Sequence, residues 1–509
     1  MNQSPVGIDD IAVHFPRLFL PMQTFADLRG ADYSKLSRGL GLEAMSVPDV
    51  HEDPATMAAN AVARLIDRNG LDPRDIGRLY LGTESALDGA KPTATYILDM
   101  LTQRYSEEYG PDCFSRCDAV DLTFACIGAV DALHNTLDWV ARGADEDRIG
   151  IVAFSDNAKY ERKSSGEYTQ GAGGGAMIVR KNPRLMAIEP WFGVSTRPVH
   201  DFYKPRRDVP VRDLLTDLLA LAQESGATVP DGIVETMLST LKDRDDRLFD
   251  AETLTIHKDT PLFDGPFSNR CYREAVKGAF AHFQEQAVAA GRLDPQEDPV
   301  LTDQWARIVL HLPYAFQGKR MFPDIFRHDQ YRLPSFDAVR EQVGDFPNRD
   351  DFADDDAYEV ARESYRRRLS KTEAYRSFAE QKIERGQRAS SLVGNQYTGS
   401  LFLALMSTLE ADLSEGNALA GERLGLCGYG SGAKAKVFEA TVQPGWEAIV
   451  SRFQLFARLE QRTAIDGAQY ERLHRLSEGS SVVAPEREFV LAEVKHGEAE
   501  GERVYRWVA

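Results

Sequence analysis

The chain has 509 residues, 79 of them acidic and 60 basic, for a net charge of −19. That balance argues against nucleic acid or an anionic membrane surface as a main partner. With 43% hydrophobic and 9% aromatic residues the chain is globular rather than disordered, and its length can fill two ordinary cores or one duplicated fold.

No stretch approaches the ~18 consecutive apolar residues of a spanning helix. The first six residues lack the basic and apolar regions of a secretion signal. Five cysteines, an odd number in a large chain, point to a reducing compartment, and a cytoplasmic location is expected. Cys113 and Cys117 have no second ligand pair after them, so no metal site is expected.

In chain order, residues 6–14 read as a strand. Asp53 and Pro54 supply an N-cap and an N1 proline for a helix whose buried stripe is Met57, Ala61, Leu65 and Ile66. An apolar strand over 78–81 delivers Glu84 just past its end, and a helix follows over 93–103. A buried strand then gives way at Cys126 to a helix over 127–140, and 148–155 and 174–179 are further strands. A second set follows: a helix over 269–290, a β-branched strand ending on His311 where Pro313 forces a turn, a helix over 397–409 and a strand over 423–427. Such alternation predicts a sheet covered on both faces, without an exact internal repeat.

Three strand ends carry chemistry. Free amides and the dipole of the helix behind Cys126 favour its thiolate, and Gly128 lets another backbone or a substrate come close. Taken singly, Cys126 fills a corner, Glu84 caps a helix and His311 sits in a core. Together they supply a nucleophile, a base and an oxyanion-stabilising or acidic group, which suits acyl transfer with carbon–carbon bond formation. The run Gly171 to Gly175 lacks both the G-x-G-x-x-G spacing and a terminal Gly-Lys-Ser/Thr, and a strand follows it, so close backbone packing is expected there instead of a nucleotide.

Several short motifs stand in a fixed order: Gly82-Thr-Glu84-Ser, Ala125-Cys126 with Gly128, Ser155-Asp156 through Tyr160, Ser164 through Gly173, Asp201-Phe-Tyr-Lys-Pro205, Pro261 through Gly265, His311-Leu-Pro-Tyr314, Val393 through Ser400, and Tyr429-Gly-Ser431-Gly432. In this order they resemble the hydroxymethylglutaryl-CoA synthases of the thiolase-like superfamily. The resemblance implies an α/β, thiolase-like duplicated fold with layered αβαβα architecture and insertions in the C-terminal half. An N-terminal half, 1–185, would carry Glu84 and Cys126. A C-terminal half, 186–509, would carry His311 and Asn395, with insertions near 206–258 and 323–388. The first insertion reads as helices over 211–223 and 233–242; the second is rich in alternating charge, with an acidic run from Asp350 to Asp356 that reads as a solvated face. The C-terminus, 488–494 and 503–508 around a Gly/Glu turn, reads as a β-hairpin.

By the same resemblance, Cys126 takes an acetyl group from acetyl-CoA, with the Cys126 amide and one near Ser431 holding the thioester oxygen. Glu84 removes a proton from the acetyl methyl, the carbanion attacks acetoacetyl-CoA, and His311 assists the alkoxide with Asn395. Asp156 and Asp201 are supporting carboxylates, although as residues they read equally well as turn formers. Tyr314, Lys319 and Arg320 are substrate-binding candidates, the cations by charge pairing with CoA phosphates. No cofactor is implied beyond the CoA thioesters, and a homodimer is. Two positions depart from the family: Ile127 stands where tyrosine is common, and Phe316 replaces a common lysine. Phe316 and the two insertions leave open the same aldol step on an acyl-carrier-protein-bound β-ketoacyl group; a ketoacyl synthase and a silent acyl-binding protein are the other readings.

Overall fold

The computed structural model describes residues 4–143, 148–242, 253–294, 296 and 300–509. It divides into two compact units, Phe202–Phe263 and the remainder of the chain. In the smaller unit, Phe202–Tyr203 pairs with Leu262–Phe263 and Arg206–Pro210 with Thr253–His257, both antiparallel. Its helices Val211–Glu224 and Ile233–Lys242, where the sequence predicts them, are tied by Arg212 and Glu235 at 2.7 Å. The acidic stretch between them and the strand Thr253–His257 falls at 243–252, outside the described residues.

The larger unit is built on a ten-stranded sheet system. At one end Asp118–Leu122, Ile76–Gly82 and Ile149–Ala158 run parallel, followed antiparallel by Gly171–Lys181 and Val6–His14. At the other end Arg307–Leu310 and Arg423–Gly430 run parallel, followed antiparallel by Lys434–Val442. The short strand Met186–Ile188 pairs with both Val6–His14 and Lys434–Val442 and joins the two sets. The predicted strand 174–179 begins three residues earlier, so the glycine run lies inside it. A Cβ on Gly174 would meet the Met57–Ala58 backbone, and one on Gly175 the Phe154 ring, which is the close packing expected of that run.

Two helices lie between the strand sets. Gly128–Arg142 presses Ala129 against Gly82 of one set and Val130 against Gly428 of the other. Ser400–Glu415 stacks Phe402 on Phe154, ring centroids 5.3 Å apart, and offers Asp412 to Arg307 on the opposite side. Twelve of its sixteen residues are buried, which is why its sequence is apolar nearly all round. Pro54–Asn69 and Thr93–Tyr109 cover the outside of one set and Gly265–Ala289 that of the other. This gives the αβαβα layering of a thiolase-like fold.

Capping explains where Pro54–Asn69 starts and stops. The Asp53 carboxylate accepts from the Thr56 amide, the Thr56 hydroxyl accepts from the Asp53 amide, and Gly70 closes the helix in the left-handed region. The helix buries far more than the predicted stripe because the C-terminal hairpin, Glu488–Val494 with Arg503–Val508, lies on its other face. Asn60 holds that hairpin through both main-chain groups of Phe489.

The charge-rich segment 323–388 folds into helices, among them Pro323–Gln330, Asp355–Leu369 and Glu373–Lys382. Its acidic run, Asp350 to Asp356, is exposed at every aspartate, as expected. The alternating charges behind the run are different. Arg362 and Arg366 are buried, facing Asp324 across the helices, with Arg362 also 2.8 Å from Glu274. Periodicity cannot separate a solvated arginine from one that turns inward to a buried carboxylate.

Candidate active site

Cys126 sits in the turn between the strand Asp118–Leu122 and the helix Gly128–Arg142. Ala125 before it is held at φ 40°, a conformation alanine rarely adopts, so the surrounding structure fixes the elbow that presents the thiol. The partly buried thiol donates to Glu84 Oε1 at 3.1 Å. Glu84 lies two residues beyond Ile76–Gly82, the neighbouring parallel strand. The two loops are stitched by Thr123 Oγ1 donating to the Thr83 carbonyl at 2.9 Å and the Thr83 amide to the Leu122 carbonyl at 3.3 Å. Ligand sites at the carboxyl ends of parallel strands are the rule in open α/β sheets, and this pair obeys it.

Asp156 is fully buried. Its Oδ1 accepts from the Glu84 amide at 2.9 Å, the Ser85 hydroxyl at 3.0 Å and the Thr83 hydroxyl at 3.1 Å. Its Oδ2 accepts from both the amide and the hydroxyl of Thr398. One carboxylate thereby fixes the Glu84 loop against the turn that precedes the central helix Ser400–Glu415. Asn395, also buried, begins that turn: its Oδ1 accepts from the Tyr397 amide at 2.8 Å and the Ser400 hydroxyl at 3.0 Å, which leaves its side-chain NH2 as the group it can offer a ligand.

On the other strand set, His311 follows Arg307–Leu310, and its amide donates to the Cys427 carbonyl at 3.0 Å. Neither ring nitrogen has a hydrogen-bond partner among the described residues, and burial pulls its pKa from 6.5 down to about 3. The resting imidazole is neutral, with one N–H to donate. Tyr272, which donates to the His311 carbonyl at 2.9 Å, and Tyr429 face its ring. Asp201 is the counterpart of Asp156: fully buried, it accepts from the Tyr429 hydroxyl and the Gly432 amide at 2.8 Å and from the Ser268 hydroxyl at 3.2 Å. These bonds hold the Gly430–Gly432 turn that carries Ser431. A Cβ on Gly430 would come within 2.5 Å of the Phe124 carbonyl oxygen and 2.9 Å of the Ile127 nitrogen, so the turn lies directly on the Cys126 elbow.

The remaining candidates spread outward. Tyr314 is largely buried, and that burial, partly offset by the charge of Arg320, raises its pKa. Lys319 is paired with Glu384 at 2.9 Å and lies 3.7 Å over the Phe316 ring. Arg320 donates to the Gly39 carbonyl. A phosphate at Lys319 has to compete with Glu384. A cavity of about 330 Å³ is lined by Arg197, Arg270, Cys271 and Arg362 and bounded by Ala433, next to the turn that Asp201 holds.

Two residues near the chemistry carry no role in the sequence reading. Tyr160 and Tyr397 are buried with ring centroids 6.4 Å apart, and Tyr397 is held at φ 44°. Burial raises the pKa of both hydroxyls, and the charges of Glu84 and Cys126 raise it further, which puts both phenols beside the reactive pair. Both lie inside motifs already recognised. The available signal was an aromatic with a hydroxyl beside a small-residue turn.

Comparison with known proteins agrees along the chain. The family described as "Hydroxymethylglutaryl-coenzyme A synthase N terminal" matches residues 2–183, and the corresponding "C terminal" family matches 249–483. The chain is 31% identical over 493 residues to the hydroxymethylglutaryl-CoA synthase of Haloferax volcanii, covering 96% of each sequence. A solved structure of MvaS in complex with 3-hydroxy-3-methylglutaryl coenzyme A, 27% identical, matches with a TM-score of 0.74 over 99% of this chain and 100% of that one. The curacin-pathway HMG synthase in complex with apo donor-ACP, 19% identical, shares the fold with a TM-score of 0.70 over 99% of this chain and 100% of its own.

Proposed function

The chain belongs to the hydroxymethylglutaryl-CoA synthase family and is an acyl-CoA condensing acyltransferase; we propose that it joins acetyl-CoA to acetoacetyl-CoA through an acetyl group held on Cys126. The observation that carries the residue assignment is the 3.1 Å contact between the Cys126 thiol and the Glu84 carboxylate, with the Gly430–Gly432 turn packed on the same elbow.

In the first step sulfur attacks the acetyl carbonyl as the thiolate that the following helix favours, and the thiol proton leaves on the CoA thiol. The Cys126 amide and one from the Ser431 turn steady the oxyanion. Glu84 then takes a proton from the acetyl methyl, and the resulting carbon nucleophile adds to the ketone of acetoacetyl-CoA. Neutral His311 donates a hydrogen bond to the alkoxide, with the Asn395 amide beside it, and the proton that Glu84 took from the methyl ends on that oxygen. Water finally cleaves the thioester, releasing 3-hydroxy-3-methylglutaryl-CoA and the free thiol. No step changes an oxidation state, so the sequence calls for no redox group. Tyr160 and Tyr397 set two buried phenols beside the partly buried pair.

The division of labour follows two halves, 1–185 with nucleophile and base and 186–509 with His311 and Asn395. Arg197 and Arg270 are the CoA-phosphate candidates nearest the Ser431 turn, with Lys319, Arg320 and Tyr314 further out. The edge strand Asp118–Leu122, paired on one side only among the described residues, supports assembly as a homodimer by offering its free edge to a second copy. No helix among the described residues is long and apolar enough to cross a membrane, which is compatible with a cytoplasmic enzyme.

Intact mass after mixing with acetyl-CoA, followed by a chase with acetoacetyl-CoA, tests the reading. An acetyl adduct chased into hydroxymethylglutaryl-CoA supports it. An adduct that ignores acetoacetyl-CoA but reacts with a carrier-bound β-ketoacyl group moves the acceptor to an acyl carrier protein. No adduct on Cys126 removes the assignment.

A further inference from the structure

A cavity of about 640 Å³ lies between the end of the first strand, the outer helices and the C-terminal hairpin. Seven arginines line it, against three carboxylates, in a chain whose net charge is −19. Arg64 and Arg68 come from Pro54–Asn69, Arg104 from Thr93–Tyr109, and Arg17 from the turn after Val6–His14. Arg458, Arg462 and Arg487 come from the C-terminal region.

The carboxylates are largely spoken for. Arg17 lies 2.9 Å from Glu488 and Arg104 2.6 Å from Asp67, while Arg68 is tied to Asp10 behind the wall at 2.5 Å. Arg64, Arg458 and Arg462 donate instead to the carbonyls of Val13, Phe453 and Leu392, and no carboxylate among the described residues lies within ion-pair distance of them or of Arg487. Burial and the facing charges of Arg458 and Arg68 pull Arg64 down to about 9, the mark of positive charge without a counter-ion.

We infer that this cavity binds a phosphate-bearing small anion of nucleotide size. Guanidinium forks match phosphate oxygens two at a time, and the volume falls in the ordinary range of small-ligand sites. Phe15, Pro16 and Trp507 supply an apolar wall beside the charges. His14 and Glu488 line the cavity and, with the buried Glu52 beside them, form the one group among the described residues with metal-ligand spacing. Arg17 and Arg64 beside it oppose a cation and favour an anion. Glu488 and Trp507 lie beyond residue 483, where the C-terminal family match ends.

Calorimetric titration of the full chain at constant ionic strength tests this with inorganic phosphate, pyrophosphate and ADP. Pyrophosphate and ADP are expected to bind saturably, inorganic phosphate at least tenfold more weakly. The double variant Arg458→Gln, Arg462→Gln should weaken pyrophosphate tenfold or more. Arg487→Gln, at an exposed rim position where folding is not at stake, should weaken it a few-fold. Equal affinity for pyrophosphate and ADP supports recognition of phosphate alone, and tighter ADP adds the apolar wall. No saturable heat from any probe, unchanged binding in Arg487→Gln, or competition between ADP and acetyl-CoA in Cys126 acetylation would each overturn the assignment, the last by placing the anion in the substrate site.

Discussion

Asp156 and Asp201 are both fully buried carboxylates, each one beside an active-site loop, yet they brace different things. Asp156 gathers donors from two distant stretches, Thr83–Ser85 and Thr398, and so ties the base loop to the central helix layer. Asp201 gathers Tyr429, Gly432 and Ser268 around a single turn, the one that rests on the Cys126 elbow. The first ties one strand set to the helix layer between the sets, and the second holds the turn proposed to stabilise the oxyanion. Disturbing Asp156 should therefore cost stability and chemistry together, and disturbing Asp201 mainly chemistry.

The largest effects come from removing what the two carboxylates hold in place. Cys126→Ala should abolish the acetyl adduct in intact-mass measurement while leaving Tm within a few degrees, since Cys126 supports neither brace. Glu84→Gln keeps the backbone amide that Asp156 accepts, so the fold should survive. Acetylation should persist, and condensation should fall by ~10²–10⁴, the usual range for a lost general base. Wild-type condensation in that variant would remove Glu84 from the role of base.

Replacing the braces tests the comparison directly. In Asp156→Asn one oxygen becomes an NH2 group aimed at donors, and at least one buried donor loses its acceptor, at a cost of about 1–3 kcal/mol per group. A lower Tm and a kcat reduced about a hundredfold are expected together. Asp201→Asn should reduce acylation about tenfold with a smaller change in Tm. Equal losses of Tm in the two variants would erase the distinction.

Much of this was readable in the sequence, because local rules and tertiary context agree there. The strand Val6–His14, the Asp53–Pro54 helix start and both strands of the C-terminal hairpin fall where turn chemistry and periodicity put them. Glu84 and His311 were legible because each follows an apolar strand; the strand before Cys126, expected to be buried, is instead the half-exposed edge strand Asp118–Leu122, which ends four residues earlier. The inward-facing Arg362 and Arg366 were not, since their partners Asp324 and Glu274 lie elsewhere in the chain. The same holds for the arginine cavity, assembled from six separate stretches, and for Tyr160 and Tyr397, which stand far from Cys126 in the chain and meet it only in the folded protein.

A pH series examines the second strand set. His311 has its pKa depressed from 6.5 to about 3 by burial, so the unfolded chain binds a proton that the folded chain refuses between those values. Its contribution to stability is present above pH 6.5 and is lost progressively as pH falls toward 3. Across pH 4–7, His311→Asn should therefore show a flatter fall in Tm than wild type, by a few degrees at the acid end. Parallel curves would mean that burial leaves the His311 pKa near its ordinary 6.5, so that the imidazole is able to act as an acid at mildly acidic pH.

The smallest effect concerns Lys319, which marks the outer limit of the site. Its pair with Glu384 is partly exposed on both sides, and such pairs contribute about 0–1 kcal/mol. Glu384→Gln should barely move Tm. If Lys319 meets a CoA phosphate, releasing it from Glu384 should lower the KM for acetyl-CoA two- to threefold, with kcat unchanged. Lys319→Gln should raise KM by a similar factor, and the double variant should behave like Lys319→Gln alone. An unchanged KM in all three would leave phosphate recognition to Arg197 and Arg270, next to the turn that Asp201 holds, and so would draw the substrate path through the second brace alone.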